Sequence, residues 1–358
     1  MAQRARLGDT DADFEKYHTK KNEVEQWEDG MRIDPAGENY EWWYFDANLA
    51  DGSQLVITFY AKSAVDPSSG LKPMIDVDLT RPDGTVISDK LSFAPEEFSA
   101  SKEKCDVKVG DNYFRGDLNH YEIGVNSPKI KVQLSSDNVT PAWRRTVAIF
   151  FGNDDEGNFG WLPSTPRGEV AVKIEVNGQK EELKGDCYHD HNWGNVALLK
   201  VMHHWYWGRA NLGDYTVIDS YMTAEKKYGY QKLPVFLLAK KGEILADDPQ
   251  YLTYSEKDKD YDGHTQKPFH NEVVYDYNDG QNHYRISYLR EKTITKDRMI
   301  EQIEGPKKFA AKFMGFDGAY LRFSGKVRLE IFAGDEVVEK HESQGLWEEM
   351  YFGKTLDV

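Results

Sequence analysis

The chain has 358 residues and a formal net charge of −16. This length exceeds one ordinary hydrophobic core and indicates two domains. The acidic balance argues against a nucleic-acid partner and against docking on anionic membranes, because no basic surface would neutralise phosphates. The two cysteines, Cys105 and Cys187, cannot form a disulfide framework and fit a reducing compartment.

The N-terminal stretch is charged throughout, and residues 12–27 have the composition of one polar helix. It lacks the apolar segment of a secretory signal. No run reaches the roughly 18 apolar residues that a membrane helix needs. We therefore expect a cytoplasmic protein with no membrane insertion.

Most of the chain alternates with period two and is interrupted by turn residues. Three hairpin signals stand out: Pro82-Asp83-Gly84, Asn177-Gly178 and Gly334-Asp335. Many short strands at regular spacing predict an all-β sandwich or barrel. One further short helix is predicted over residues 305–314. The acidic, tyrosine-rich residues 247–272 show no periodicity, and we expect them to form a loop or insertion.

An internal repeat joins WWYFDANLADGSQLVITFYA, from Trp42, to WYWGRANLGDYTVIDSYMTA, from Trp205. Residues 47–49 match 210–212, and residues 56–60 match 217–221. The repeat predicts two copies of one β-barrel unit. The expected domains are an N-terminal extension (1–37), an N-terminal barrel (38–198) and a C-terminal barrel (199–358).

The second copy contains an unusual carboxylate. Residues two apart in a strand share a face, which gives two sets: Trp205, Trp207 and Arg209, and Val217, Asp219 and Tyr221. In the repeat, Asp219 takes the place of Thr58. Burial in an apolar strand would raise the pKa of Asp219 and make it a candidate general acid. The alternative is that Asp219 pairs with Arg209 across the hairpin.

The opening strand of the first copy, EWWYFD, divides its side chains between two faces. One face carries Trp42, Tyr44 and Asp46, and the other Glu41, Trp43 and Phe45. We expect Trp43 and Phe45 in the core. Trp42 and Tyr44 are expected to line a pocket, because their copies in the repeat flank polar groups.

The segment GDCYHDHNWGN, residues 185–195, carries two histidines and two carboxylates. His189, His191 and Trp193 share one face of an extended strand, and Asp190 and Asn192 share the other. Three interpretations are open: a zinc site together with His203-His204, a hydrogen-bonded polar turn, or a site for acid–base or substrate-orienting chemistry. No Cys, Glu or Asp completes a recognisable metal spacing, so we expect no metal.

Three motifs occur in order: GENYEWWYFDANLADGSQLVITFYAKS, YHDHNWGN and HWYWGRANLGDYTVIDSYM. Together they resemble the carotenoid 1,2-hydratase superfamily, also called hydroxyneurosporene-synthase-like or AttH-like. Its relatives include kievitone hydratase and lipocalin-like fungal Diels–Alderases. The resemblance covers roughly residues 30–225. It implies an all-β fold of two lipocalin-like antiparallel β-barrels side by side, with little helix and a pocket for an apolar ligand.

For the hydratases the resemblance implies water addition to an isolated double bond without a cofactor. An acid protonates the alkene, a tertiary carbocation forms, and water attacks it. His191 and Trp193 match the family's His-x-Trp pair. The family then has Tyr-x-Asp, whereas this chain has Asp219-Ser220-Tyr221 with the two groups exchanged. A Diels–Alderase-like member would need no strong acid, because its pocket holds a polyene in a folded conformation.

We therefore expect a cofactor-independent enzyme, a hydratase-type lyase or a cyclase/isomerase, acting in secondary metabolism on a hydrophobic isoprenoid or polyketide-type small molecule. The alternatives are a non-catalytic lipocalin-like carrier and a metal-dependent hydrolase using His189, His191 and His203. The expected catalytic residues are Asp219, His191, Tyr221 and Trp193. The expected substrate-binding residues are Glu41, Trp42, Tyr44, His189, Asn192, Trp205, Trp207 and Arg209.

Overall fold

The computed structural model describes residues 3–64, 66–301, 317–353 and 355. The chain divides into two compact units, residues 6–197 and residues 198–358 together with residues 1–5. We call these the N-terminal unit and the C-terminal unit. The division into three independently folding parts, residues 1–37, 38–198 and 199–358, stays a prediction.

The N-terminal unit is built on one long antiparallel sheet. Its strand order is β5-β4-β3-β2-β13-β12-β10-β9-β8-β7-β6; β1 pairs with β11, which pairs with β12. The strands are β1 (Ala5–Leu7), β2 (Tyr40–Leu49), β3 (Gln54–Lys62), β4 (Met74–Thr80), β5 (Val86–Ser92), β6 (Phe98–Ala100), β7 (Asp106–Val109), β8 (Asn112–Gly116), β9 (His120–Asn126), β10 (Ile130–Thr140), β11 (Ile149–Phe151), β12 (Gly157–Val176) and β13 (Gln179–Gly194).

The C-terminal unit is built on a second antiparallel sheet, in the order β17-β16-β15-β14-β22-β21-β20-β19-β18. Its strands are β14 (Met202–Leu212), β15 (Tyr215–Ala224), β16 (Lys232–Lys240), β17 (Glu243–Ala246), β18 (Leu252–Asp262), β19 (Lys267–Asn278), β20 (His283–Arg298), β21 (Ala319–Ala333) and β22 (Glu336–Tyr351).

The alternating sequence produces sheets with one buried face. In β4, the residues Ile75, Val77 and Leu79 are fully buried, while the residues between them are partly exposed. Burial of each such side chain contributes roughly 1.5–3 kcal/mol. Asn177 and Gly178 both have positive φ, of 52° and 79°. This is the turn that twisted hairpin strands favour, and it joins β12 to β13 as predicted.

Each sheet curls around its own core. In the N-terminal unit, Phe59 on β3 and Phe114 on β8 lie far apart in strand order, yet their rings approach to 5.8 Å. In the C-terminal unit, Tyr221 on β15 stacks on Tyr254 of the edge strand β18 at 3.8 Å. The two ends of each sheet therefore face one another across a core. The predicted all-β fold with lipocalin-like antiparallel sheets is confirmed.

The repeat is visible in the topology. The first long strand of each sheet lies between its hairpin partner and the last strand of the unit. In this way β2 lies between β3 and β13, and β14 lies between β15 and β22. If β2 and β14 are each counted as the first strand of their unit, both sheets have the order fourth, third, second, first and last strand. Duplication of one unit predicts this shared order.

Helices are short. The predicted helix over residues 12–27 is wrong in its extent, because α1 covers Asp11–Lys16 and a 3-10 turn follows only at Gln26–Asp29. A capping box between Thr10 and Asp13 starts α1, and His18, with φ of 54°, lies beyond its end. The other 3-10 turns are Pro95–Glu97, Leu198–Lys200, Lys226–Tyr228, Pro249–Tyr251 and Met299–Glu301. The helix predicted over 305–314 lies outside the described residues.

The expected loop at 247–272 is wrong. Most of this segment forms the edge strand β18 and the first part of β19, which pair along their length. An edge strand with few buried residues needs no hydrophobic alternation, and its charges discourage pairing with other chains. No helix among the described residues is long and apolar enough to cross a membrane.

Candidate functional site

Strand β13 presents the side chains of the GDCYHDHNWGN segment alternately to the two faces of its sheet. Directly paired residues share a face. His191 pairs with Trp43, a core residue, whereas Asp190 pairs with Tyr44. The inward set is His189, His191 and Trp193, and the outward set is Asp190 and Asn192.

His191 is fully buried within the N-terminal unit, where both ring nitrogens and the ring itself have contacts. Its Nε2 lies 2.9 Å from Glu41 Oε1, and its Nδ1 lies 3.2 Å from the backbone oxygen of Glu28. Its ring stacks on Trp43 at 4.7 Å and is tilted against Trp193 at 4.8 Å. The predicted catalytic pair His191 and Trp193 is therefore in contact, together with the predicted binding residue Glu41.

Glu41 also ties the segment before β2 to the sheet, and Glu28 ties it to the connection between β10 and β11. The backbone N–H of Arg32 donates to Glu41 Oε1 at 2.6 Å. Arg144 donates to Glu28 at 3.0 Å, and both side chains are buried. His191 thus orients a segment that covers the core, which is the role a hydrogen-bonded polar group has in a fold.

His189 belongs to the same buried network. Its Nδ1 lies 2.7 Å from the backbone oxygen of Tyr44, and its Nε2 lies 3.3 Å from Asp29 Oδ2. Tyr121 donates to the same Asp29 oxygen at 2.6 Å. Burial raises the pKa of Asp29, but the attraction and hydrogen bond of His189, with help from His191 and Tyr121, outweigh burial and leave the pKa lowered.

One group in the described part of the chain has the arrangement of a metal site. Ligand atoms of Asp29, Cys105 and His189 lie within 4.8 Å of one another. Burial raises the pKa of the Cys105 thiol well above its usual value, which disfavours the thiolate that a metal binds. Of the three histidines expected for a metal-dependent hydrolase, only His189 belongs to this group.

Asp190 forms a cluster on the outward face of β13. Its Oδ2 accepts hydrogen bonds from Tyr188 at 2.8 Å and from the Trp161 indole at 2.9 Å. Its Oδ1 accepts from Asn192 at 2.6 Å. Burial raises the pKa of Asp190 to about 6, although these donors oppose the rise. Asp190 can therefore exchange a proton near neutral pH.

Trp42 and Tyr44 share this outward face and are both half-buried. Trp42 stacks on Tyr40 at 5.8 Å, and the Tyr44 hydroxyl donates to Asp46 at 3.1 Å. The structure thus places the predicted binding residues Trp42, Tyr44 and Asn192 around Asp190, whereas Glu41 and His189 lie on the inward face.

Asp219 lies in the core of the C-terminal unit and is 1 % exposed. Tyr288 donates to its Oδ2 at 2.7 Å. Burial raises the pKa of Asp219 well above its ordinary value, and the hydrogen bond from Tyr288 opposes this only in part. Burial of this kind favours the protonated form of the carboxyl, which can donate a proton.

The structure corrects the second strand of the repeat alignment. In the first hairpin, Phe45 pairs with Ile57; in the second, Gly208 at the matching position pairs with Asp219. Asp219 therefore corresponds to Ile57 and not to Thr58. A shift of one residue moves a side chain to the opposite face of a sheet. Asp219 consequently occupies a core position.

The same register separates Asp219 from the predicted aromatic walls. Arg209 pairs with Ile218 on the outward face, so the alternative that Asp219 pairs with Arg209 across the hairpin is wrong. Trp205 and Trp207 share that outward face. Gly208, opposite Asp219, leaves room for Tyr288, because a Cβ there would lie 2.9 Å from the tyrosine ring.

Tyr221 shares the inward face with Asp219, as the sequence predicts, since the two residues lie two apart on β15. It is half-buried and stacks on Tyr254 with an angle of 9° between the rings. Burial raises the pKa of Tyr221, so it keeps its phenolic proton at neutral pH.

The two sheets carry matching carboxylates on their outward faces. Asp190 on β13 pairs with Tyr44, and Glu348 on β22 pairs with Trp207, the counterpart of Tyr44. Each carboxylate accepts from one indole and one tyrosine hydroxyl. For Glu348 these donors are Trp205 at 3.2 Å and Tyr320 at 2.7 Å. The same kind of group therefore occupies the matching position in both sheets.

Sequence reasoning did not assign chemistry to Asp190, Glu348 or the buried Glu349. One signal was available. Continuing the repeat to the last strand of each unit matches residues 190–193 (DHNW) to 348–351 (EEMY), an acid followed three positions later by an aromatic residue. The donors Trp161 and Tyr288 come from other strands, and no local pattern marks them.

Comparison with known proteins agrees with this architecture. Over 197 residues the chain is 25 % identical to the quinolone epoxide rearrangement protein asqO of Emericella nidulans, covering 50 % of this chain and 53 % of that protein. It is 25 % identical over 214 residues to hydroxyneurosporene dehydrogenase of Chlorobaculum tepidum, covering 50 % and 55 %. The matches thus span about half the length of these curated relatives.

The crystal structure of CghA with Sch210972 has a similar fold, with a TM-score of 0.61 and 13 % identity, covering 99 % of this chain and all of that one. The predicted resemblance to the superfamily of hydroxyneurosporene-synthase-like proteins and lipocalin-like Diels–Alderases is confirmed. Residues 8–328 match the family model described as Diels-Alderase-like, and the chain belongs to that family.

Proposed function

We propose that this chain is a cofactor-independent enzyme acting on a hydrophobic isoprenoid or polyketide-type small molecule. The reaction is hydration of a C=C bond after protonation, or cyclisation of a folded polyene. Membership of the Diels-Alderase-like family supports a reaction of this kind. One relative is named as an epoxide rearrangement protein and another as a hydroxyneurosporene dehydrogenase.

The observation that carries the proposal is the buried carboxyl of Asp219, whose pKa is raised by burial, among aromatic rings. The ring of its partner Tyr288 lies 5.2 Å from Trp347 and 6.1 Å from Tyr275. Faces of such rings stabilise positive charge. Asp219 would transfer its proton to the alkene, water would add to the cation, and the proton that this water loses would return to the Asp219 carboxylate.

Asp190 is the second candidate acid for the same reaction. Its pKa of about 6 lies near a working pH, where general acid–base catalysis is most efficient. The half-buried Trp42 and Tyr44 beside it offer an aromatic surface on the outward face of the sheet. Asp190 is thus easier for a substrate to approach, whereas Asp219 is the more strongly protonated group.

The remaining predicted residues take supporting roles in this proposal. His191, enclosed by Glu41 and the backbone of Glu28, serves as an orienting group and holds Trp193 in place. Tyr221 is a hydrogen-bond partner at the inward face of β15. Trp205 and Trp207 are aromatic walls of an outward-facing surface on β14.

The test is turnover of acyclic isoprenoid polyenes and linear polyketide polyenes, followed by mass for water addition and by chromatographic shift for cyclisation. Asp219→Asn should reduce turnover by about 10²- to 10⁴-fold, as loss of an acid–base group does. Asp190→Asn is assayed in parallel. The exposed turn variant Asp335→Asn is the control and should keep full turnover.

Loss of turnover in Asp190→Asn alone would move the acid to the outward face. Full turnover in both variants would exclude Asp219 and Asp190 as the acid. The remaining mechanism would be cyclisation of a polyene that the protein holds in a folded conformation. Stoichiometric binding of a polyene that comes back unchanged, with no turnover in the wild type, would favour the lipocalin-like carrier.

A further inference from the structure

The core of the C-terminal unit contains a second acid, Glu349, which the proposed reaction does not use. It lies on β22 opposite Tyr206 and is 1 % exposed. Burial raises its pKa well above the ordinary value, while the nearby hydroxyls of Tyr351 and Tyr206 oppose the rise. In the described part of the chain, its Oε2 is buried with no hydrogen-bond partner.

Tyr206 leads from this acid towards the surface. Its hydroxyl lies 3.1 Å from Nδ1 of His270 on β19. The same Nδ1 lies 3.6 Å from Glu256 Oε2 on the edge strand β18. Side-chain exposure rises along this line, from 15 % at His270 to 31 % at Glu256. Glu349 is therefore the buried end of a row of polar groups that reaches solvent.

Each group in the row can pass a proton. A phenolic hydroxyl donates and accepts at the same time, and an imidazole exchanges its proton near neutral pH. In the inward step, the Nδ1–H bond of His270 breaks and a bond forms to the Tyr206 oxygen. The original O–H bond of Tyr206 breaks as its proton moves to the Glu349 carboxylate. Imidazolium and carboxylate become neutral, so the step leaves no separated charge.

Burial favours release of a proton from His270. Burial lowers the pKa of His270, Glu256 opposes this, and Lys259, directly across the ladder, adds to the lowering. His204 also faces this region, and burial lowers its pKa to about 3, so it stays neutral. Tyr254 donates to Glu256 Oε1 at 2.8 Å and fixes the outer end.

We propose that Glu349, Tyr206 and His270 form a proton path that connects a carboxyl in the core of the C-terminal unit with solvent beside Glu256. The path does not depend on the proposed reaction. A carboxyl that served packing alone would need no route to solvent, and its proton would exchange only when the core opens.

The test is infrared spectroscopy of the full chain labelled with ¹³C at glutamate carboxyl groups. The label distinguishes the infrared band of a protonated glutamic acid from that of Asp219, which is not labelled. We expect a protonated glutamic-acid band that is lost in Glu349→Gln. After rapid transfer to D₂O the band should shift quickly in the wild type. In Tyr206→Phe and His270→Phe it should shift about 10²-fold more slowly, as when a positioned proton-transfer group is removed.

His283→Phe is the matched control, because His283 lies in the same unit but contacts Asp276 and Phe332. It should leave the exchange rate unchanged. His270 is partly exposed, so its replacement tests the path without removing a core residue. An unchanged rate in both path variants would overturn the proposal, as would the absence of a protonated glutamic-acid band from the wild type.

Discussion

The last strands of the two units carry different residues at the matching inward-facing position, a histidine in the N-terminal unit and a glutamate in the C-terminal unit. His191 on β13 lies opposite Trp43, and Glu349 on β22 lies opposite Tyr206. His191 has a carboxylate, Glu41, within 2.9 Å. The hydroxyls near Glu349 belong to tyrosines and carry no charge.

The difference lies in whether a buried polar group has a complementary partner. A buried group with a complementary partner has its hydrogen-bonding capacity used, and it fixes the surrounding chain. A buried acid among neutral hydroxyls keeps its proton, because ionisation would leave a charge in the core. The N-terminal core therefore holds a segment in place, and the C-terminal core contains acids whose protonated form is favoured by burial.

The same substitution at the matching positions should separate the two roles most clearly. His191→Gln removes the imidazole from the buried Glu41, which keeps the Arg32 N–H, and should cost about 3–5 kcal/mol of unfolding free energy. Glu349→Gln replaces an acid whose neutral form burial favours with an amide of the same size and should cost less than about 1 kcal/mol. Denaturant unfolding monitored by tryptophan fluorescence measures both. Equal losses would contradict the comparison.

A pH titration tests the outward carboxyl Asp190. Its pKa is raised to about 6 in the folded chain, so the folded state binds more protons than the unfolded state from about pH 4 to pH 6. Stability should therefore fall across this window by about 3 kcal/mol as the pH rises. Asp190→Asn should remove this fall, because an amide does not titrate in this range. The Asn192 amide can turn so that its oxygen accepts a hydrogen bond from the new side chain. A wild-type profile retained in the variant would exclude Asp190 as the titrating group.

Gly208→Ala tests the close approach that lets Tyr288 reach Asp219. The new Cβ would lie 2.9 Å from the Tyr288 ring, and overpacking of this kind costs roughly 1–3 kcal/mol. Thermal unfolding measures the loss. The control is Gly263→Ala, where a Cβ meets nothing within 4 Å. A neutral Gly208→Ala would mean that Tyr288 moves away without loss.

The smallest expected losses of stability come from removing the indole donors to the two matching outward carboxylates, Asp190 and Glu348. Trp161→Phe removes the 2.9 Å bond to the buried Asp190, and Trp205→Phe removes the 3.2 Å bond to the half-buried Glu348. We expect about 1–2 kcal/mol for the first and about 0.5–1 kcal/mol for the second. The reverse order in chemical denaturation would show that burial does not set the strength of these bonds.

The repeat predicted much of the candidate site but not its register. Matching Asp219 to Thr58 placed it one position away from its counterpart, Ile57, because the lengths of the two hairpin loops differ and a sequence match alone does not fix cross-strand pairing. The alternation still grouped Asp219 with Tyr221 correctly. It could not find Tyr288, which comes from β20 and meets Asp219 only when the sheet curls.

The sequence by itself determined the all-β class, the internal repeat, the family and, in the strands it predicted, which residues share a face. Period-two alternation and turn residues act between near neighbours, and a single sequence records them directly. Only the tertiary structure decided which buried acids gain a complementary partner. That outcome depends on strands distant in sequence, such as β19 bringing His270 to Tyr206 and the segment before β2 bringing Glu28 to His191.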